Sequence, residues 1–236
     1  MITESVLCYE TAHQTGLPGS TLHPGGLALT RHALELANLP AGARILDLGC
    51  GGAESVHFLA SAGYQVVGLD RSLLLLTTPQ SGTDKRVCAD ALTLPFATNS
   101  FDAILAECTL SVFGPLGLIL DTLSPLLKED GFLIVSDLYS RAPHELAKLN
   151  ALNPTGCLAG AFESGVFTNE LKEKGFSLQQ WEEHAELLKE MLQPVVFPLV
   201  CNIENGKIDS LDLVLQIARA KLSYFLCVAK KETRRF

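Results

Sequence analysis

Concentrated positive charge is what this 236-residue chain most plainly lacks: Lys and Arg total 18 against 26 Asp and Glu, a formal net charge of −8. No stretch gathers the cations needed to neutralise several phosphates, so nucleic acid is excluded as an expected partner. Paired cysteines are missing too. Cys8, Cys50, Cys88, Cys108, Cys157, Cys201 and Cys227 are an odd number, widely spaced, with no CxxC pair and no Cys/His cluster at zinc spacing. Neither a disulfide framework nor a resident metal is expected, and free thiols suit a reducing cytosol. Met1 to Glu4 has no charged and apolar leader, and the longest apolar stretch, Cys108 to Leu120, is broken by Gly114, Pro115 and Gly117. No membrane span is expected, and the reading is a soluble, cytoplasmic protein. Internal repeats, low-complexity tracts and linkers are also absent. The oligomeric state leaves no mark on the sequence.

What is present is core-forming: 47% of residues are hydrophobic and 19% charged, the balance of a compact globular chain. At about 150 residues per domain, the length gives a single domain over 1–236. Short β-branched apolar runs alternate with amphipathic segments, which predicts an α/β fold with parallel strands covered by helices on both faces. Ala43 to Gly49, Gln65 to Asp70, Lys85 to Asp90, Phe101 to Cys108, Gly131 to Tyr139 and Ser223 to Lys230 read as strands, and Phe176 to Glu183 can be another. Helices are expected over Glu54 to Ala62, briefly after Ser72, and over Leu116 to Lys128. A helix from His23 to Asn38 precedes the first strand, with Pro40 at its end. Asn150 to Phe162 reads as loop, Thr168 as the cap of a helix from Asn169 to Lys174, and the acidic run at Trp181 as a solvated helix start with an anchoring ring. The core is placed at about 40–140 and 220–231, with 23–38 and 141–205 as a lid.

The most informative segment is Ile45 to Ser55, ILDLGCGGAES, where an apolar strand runs into Gly49, Gly51 and Gly52 and then a helix. Glycines there allow a tight turn and close approach of a ligand to the backbone. Asp70 closes the next strand at the separation of an acid that accepts from ribose hydroxyls, so the ligand should be a nucleoside. The dinucleotide pattern GxGxxG fails, because Glu54 stands where its last glycine belongs and puts negative charge where a pyrophosphate would sit. Asp47 instead suits a ligand with a cationic ammonium group.

DLGCGGAES, GLD, CADALTLPF, SFDAILAEC and LKEDGFLIVSD, in that order over roughly residues 42 to 139, resemble the motif set of class I S-adenosylmethionine (SAM)-dependent methyltransferases. The resemblance implies a doubly wound, Rossmann-like, seven-stranded, mostly parallel sheet and SAM as cofactor. It implies that Asp47, Gly49, Cys50, Gly51 and Ala53 line the methionine end, with Ala53 in place of a third glycine. Asp70 then matches the ribose acid, flanked by Arg71 and Ser72. Asp90 and Ala91 match the acidic pair beside adenine, while Glu107 and Cys108 match the position facing the methyl.

A methyl sulfonium is already activated, so the acceptor decides whether a base is needed: a hydroxyl or amine must lose a proton, a thiolate or trivalent arsenic need not. Gly156 to Ala161, GCLAGA, resembles the cysteine-bearing segment of arsenite methyltransferases. That makes Cys157 a candidate metalloid thiolate, with Cys201 as its partner and Cys108 a third thiol near the methyl. Cys157 can equally be packing in a small-residue loop, and Cys227 reads as core. His23 and His184 are the histidines to test on the substrate side. The expected activity is in-line methyl transfer to a small-molecule or metalloid acceptor. A quinone-type enzyme would need an apolar cavity and a base, and a non-catalytic SAM-binding accessory protein would have a blocked acceptor cavity. An NAD-linked oxidoreductase fails at Glu54.

Overall fold

A computed structural model describes residues 23–77, 85–152, 157–158, 160–192 and 208–233. Strands β1 (Arg44–Leu48), β2 (Gln65–Asp70), β3 (Lys85–Cys88), β4 (Phe101–Glu107), β5 (Leu127–Ser140), β7 (Phe176–Glu183) and β8 (Leu222–Lys231) lie in the order β3-β2-β1-β4-β5-β8-β7. β1 to β5 run parallel, and β8 inserts antiparallel between β5 and β7. An eighth, two-residue strand β6 (Phe162–Glu163) joins the part of β5 that extends past β4, pairing with Tyr139 and Ser140. The sheet is therefore the expected seven strands plus this short addition. The chain winds outward through β1, β2 and β3, then crosses back to place β4 on the other side of β1. Ligands of open α/β sheets bind at that reversal, beyond the strands' carboxyl ends.

Side chains of a strand alternate between faces, and both faces here are apolar because both are covered. Ile45, Leu105, Ile134 and Val228 point to a layer built by α1 (Gly26–Ala37), α2 (Glu54–Ser61) and residues 185–192, which are helical. Their neighbours Leu46, Ile104, Val135 and Cys227 point to the opposite layer, under α4 (Leu116–Leu123) and α6 (Ser164–Glu173). Each fully buried Leu or Ile contributes about 2 kcal/mol of transfer free energy, so the central strands anchor the fold. Between these elements run the four-residue α3 (Leu73–Leu76), then α5 (Leu146–Leu152) and, late in the chain, α7 (Ile208–Ala220).

Several expected boundaries move. The helix starting at Leu116 stops at Leu123 instead of Lys128, because Pro125 cannot donate to the helical ladder; Ser124–Leu126 is a 3-10 turn and β5 starts at Leu127, ahead of Gly131. α6 begins at Ser164, and Thr168 lies inside it, its hydroxyl donating to the Ser164 carbonyl at 3.1 Å. The buried pair Phe167 and Leu171, four apart, gives the physical reason: the helix's apolar stripe starts before Thr168. Asn150 to Leu152, expected in a loop, end α5. α1 closes at Ala37, where left-handed Asn38 (φ 46°) donates its N–H to the Leu34 carbonyl before Pro40 is reached.

Trp181 is in β7 and does not start a helix; its ring stacks on Phe225 of β8 at 4.3 Å and 8° between planes, with Phe167 edge-on to Phe225 at 4.9 Å. These contacts clamp α6 onto the β7–β8 edge. Phe225→Ala should destabilise the protein by about 3–5 kcal/mol, read as a lower denaturant midpoint, through the cavity left beneath Trp181 and Phe167.

Candidate active site

At the end of β1 the chain turns through Gly49 (φ +74°) and Gly51 (φ +50°), with the N–H groups of Gly49 and Cys50 donating to the Leu69 carbonyl at 2.7 and 3.0 Å. A Cβ on Gly49 would overlap the Thr109 hydroxyl, so this turn needs glycine for space as well as for its backbone angle. Ala53, left-handed at φ +68°, leads directly into α2.

Asp70 ties the turn to the second strand. Its Oδ2 accepts the Gly51 N–H at 2.9 Å and its Oδ1 the Ser72 N–H at 2.8 Å. Burial pushes this carboxyl up, while those N–H groups and Arg71 pull it back down. Asp47 stands beneath the turn, 3% exposed, and its buried Oδ2 has no hydrogen-bond partner among the described residues. Burial holds its carboxyl well above the usual carboxylate range, and the charges of Glu107 and Asp70 add to the effect.

Glu107, at the end of β4, gathers three elements. Its Oε1 accepts the Thr30 hydroxyl of α1 at 2.8 Å, and its Oε2 accepts the Ser55 hydroxyl of α2 at 2.7 Å. His23, just ahead of α1, places Nε2 3.6 Å from the same Oε2. Neighbouring Cys108 adopts φ +51°, and its thiol donates to the Tyr224 hydroxyl at 3.4 Å, which donates in turn to Ser136 at 3.0 Å. Buried Asp137 accepts the Ser111 N–H at 3.0 Å and so fixes the turn after β4.

The glycine turn, Asp47, Asp70, Ser55, Glu107, His23 and Cys108 border one crevice of about 810 Å³. Of the residues singled out from sequence, Asp47, Gly49, Cys50, Gly51, Asp70, Arg71, Glu107, Cys108 and Cys157 all line it. Ser72 caps α3 instead, accepting the Leu75 N–H at 3.3 Å. Asp90 is exposed and accepts the Leu92 N–H at 2.8 Å, Ala91 is packed in the core, and it is Ala89 that reaches the crevice at this strand end. Cys201 and Cys8 lie outside the described residues.

The thiol next to Cys157 is therefore Cys108, and burial pushes that thiol, like the one on Cys50, well up from its ordinary value; Asp137 and then Cys157 add to the effect at Cys108. Cys227 is core, its thiol pushed up to about 12 by burial. Among the described residues, no cluster of three His, Cys, Asp or Glu is arranged to hold a metal, and no helix is long and apolar enough to cross a membrane. Thr30 and Ser55 were not legible as site residues in the sequence. The one hint was a hydroxyl set within an apolar helical stripe.

Residues 46–135 match the family model of the methyltransferase domain. A phosphoethanolamine N-methyltransferase of Triticum aestivum is 25% identical over 191 residues, covering 78% of this chain and 34% of the relative; this chain thus spans about a third of the plant enzymes it matches. A demethylmenaquinone methyltransferase of Corynebacterium urealyticum is 29% identical over 177 residues, covering 69% of this chain and 70% of that one. Haemonchus contortus phosphoethanolamine N-methyltransferase 2, solved with phosphomonomethylethanolamine and S-adenosylhomocysteine, superposes with a TM-score of 0.72 at 17% identity, covering 95% of this chain and 57% of that one, and so shares the fold. The glycine turn after β1 and the acid closing β2 both lie inside the segment that matches the methyltransferase domain, and the fold as a whole is shared with a solved methyltransferase.

Proposed function

We propose that this protein transfers a methyl group from SAM to a small, largely apolar acceptor. The observation that carries the reading is the orphaned, buried Asp47 Oδ2, set between two further acids at the mouth of a glycine turn. Such an arrangement is costly on its own and is relieved by a ligand that brings positive charge and hydrogen-bond donors. The residues fit the cofactor: Asp47 would take its ammonium group, Asp70 has lone pairs left for ribose hydroxyls, and Gly49 and Gly51 leave backbone exposed to it. When bound, SAM supplies an electrophilic methyl on a sulfonium, the leaving group of the transfer.

The protein's own work is positioning and exclusion of water. Glu107 fixes α1 over the crevice through Thr30 and fixes α2 through Ser55, so the walls hold one spacing. The acceptor side, beside Leu27, Phe58, Val112 and Phe113, is apolar. That lining favours an aromatic quinol over a phosphorylated amine, which would need cations here, and it agrees with the similarity to a demethylmenaquinone methyltransferase. A metalloid acceptor is the second reading. It is supported by Cys108 and Cys157 on the same wall, although the Cys108 sulfur would have to shed a tightly held proton to bind one.

Incubation with SAM and either a naphthoquinol, arsenite with thiol, or phosphoethanolamine should yield S-adenosylhomocysteine with the quinol. Arsenite-dependent product lost in Cys157→Ser would favour the metalloid reading instead, and no product with any acceptor would indicate a SAM-binding accessory protein. Asp70→Ala should weaken SAM by roughly thirtyfold in calorimetry, from loss of charge-assisted hydrogen bonds worth about 2 kcal/mol.

Asp47 supplies a pH prediction. Its folded-state pKa lies above its unfolded one, so its contribution to stability is complete below the ordinary carboxylate range and is lost as pH rises through the raised value. Thermal unfolding of ligand-free Asp47→Asn should therefore match the wild type in acid and exceed it at neutral pH, while its SAM affinity falls.

A further inference from the structure

The methyl-transfer reading gives no task to His23, a polar group on the crevice wall. His23 lines the same crevice as Glu107 and Cys108, and its side chain is only 11% exposed. Its Nε2 lies 3.6 Å from Glu107 Oε2, while its Nδ1 is buried with no hydrogen-bond partner among the described residues. A buried imidazole nitrogen without a partner costs free energy unless something else occupies its lone pair.

The backbone holds this ring in place. The Gly26 N–H donates to the His23 carbonyl at 3.2 Å, and Gly25 (φ +82°) packs so closely that a Cβ there would come within 2.8 Å of Leu187 and 2.9 Å of Leu29. Glu107 is itself held by Thr30 and Ser55, so it is a fixed carboxylate facing Nε2. A carboxylate there favours the tautomer with the proton on Nε2, which leaves Nδ1 as a proton acceptor.

We infer that His23 is the general base for an acceptor that carries a phenolic hydroxyl, with Glu107 as its positioning residue. The inference rests on the methyltransferase reading and deepens it. His23 Nδ1 takes the hydroxyl proton, and the electron density released onto the ring makes its ortho carbon the nucleophile. That carbon forms its bond to the methyl as the sulfur–methyl bond breaks, and the sulfur keeps the bonding pair as a neutral thioether. The ring C–H proton then returns to the oxygen and His23 releases its own to water, so one proton leaves per turnover. A metalloid acceptor would have no use for this base. An arrangement of carboxylate, imidazole and apolar wall is the one an activated quinol needs.

The test uses 4-nitrocatechol, whose visible spectrum separates phenol from phenolate, with S-adenosylhomocysteine present and in buffer acid enough that the free probe is neutral. Bound to the wild type, the probe should show the phenolate spectrum; bound to His23→Gln or His23→Ala, it should stay neutral. With a naphthoquinol acceptor, both variants should lose about 10²- to 10⁴-fold in rate, and free imidazole should partly restore His23→Ala. S-adenosylhomocysteine affinity should stay within about twofold throughout, which also certifies that the variants fold. A neutral probe or no probe binding in the wild type, or phenolate in both variants, overturns the assignment of His23. Failure of the wild type to bind S-adenosylhomocysteine overturns the methyltransferase reading beneath it.

Discussion

One carboxylate organises this molecule. Glu107 stands at the end of β4, where the sheet's winding reverses, and it accepts hydroxyl protons from α1 and α2 while facing an imidazole ahead of α1. Hydrogen bonds to an ionised acceptor are worth about twice neutral ones, and each of these joins parts of the chain far apart in sequence. β1 and β4 are paired directly by their backbone ladder, and the node ties the two helices to the end of β4. α1 itself packs on the central strands through Leu29, Ala33, Leu34 and Ala37, and the Thr30–Glu107 bond adds a polar tie at the crevice.

The same node explains the electrostatics. Asp47, Asp70 and Glu107 face one crevice, and burial together with the charges of Glu107 and Asp70 raises the Asp47 carboxyl well above its ordinary range. Sites that concentrate like charge in this way are less stable than they need to be, and the excess is recovered on binding an oppositely charged ligand. At Asp70 two backbone N–H groups offset part of the burial penalty, which makes this acid part of the fold. The crevice lining combines these acids with apolar side chains, the mix that the proposed cationic cofactor and apolar acceptor call for.

Much of the fold was legible because strand alternation and helical stripes are local signals: Gln65–Asp70 and Phe101–Glu107 fall within a residue of expectation. The glycine turn and its acids were legible because turn chemistry and spacing are local too. Three things were not. The extra strand β6 exists only because β5 outruns β4, a matter of tertiary length. Trp181 reads as a surface anchor until Phe225 is brought across from β8 to stack on it. Thr30 and Ser55 acquire meaning only when three elements converge on Glu107, and no spacing in the sequence encodes that convergence; His23 was legible as a substrate-side candidate, but its place opposite Glu107 was not. The pairing of Cys157 with Cys108 in the crevice has the same origin.

The account stands or falls on the acidic end of the crevice taking a cationic adenosyl ligand in preference to a dinucleotide. Calorimetric titration of the wild-type protein with SAM and, separately, with NAD tests this directly. The account predicts a single saturable site per chain for SAM and no measurable heat for NAD, whose pyrophosphate would meet Glu54 and the buried acids. Equal binding of both, or binding of NAD alone, would contradict it.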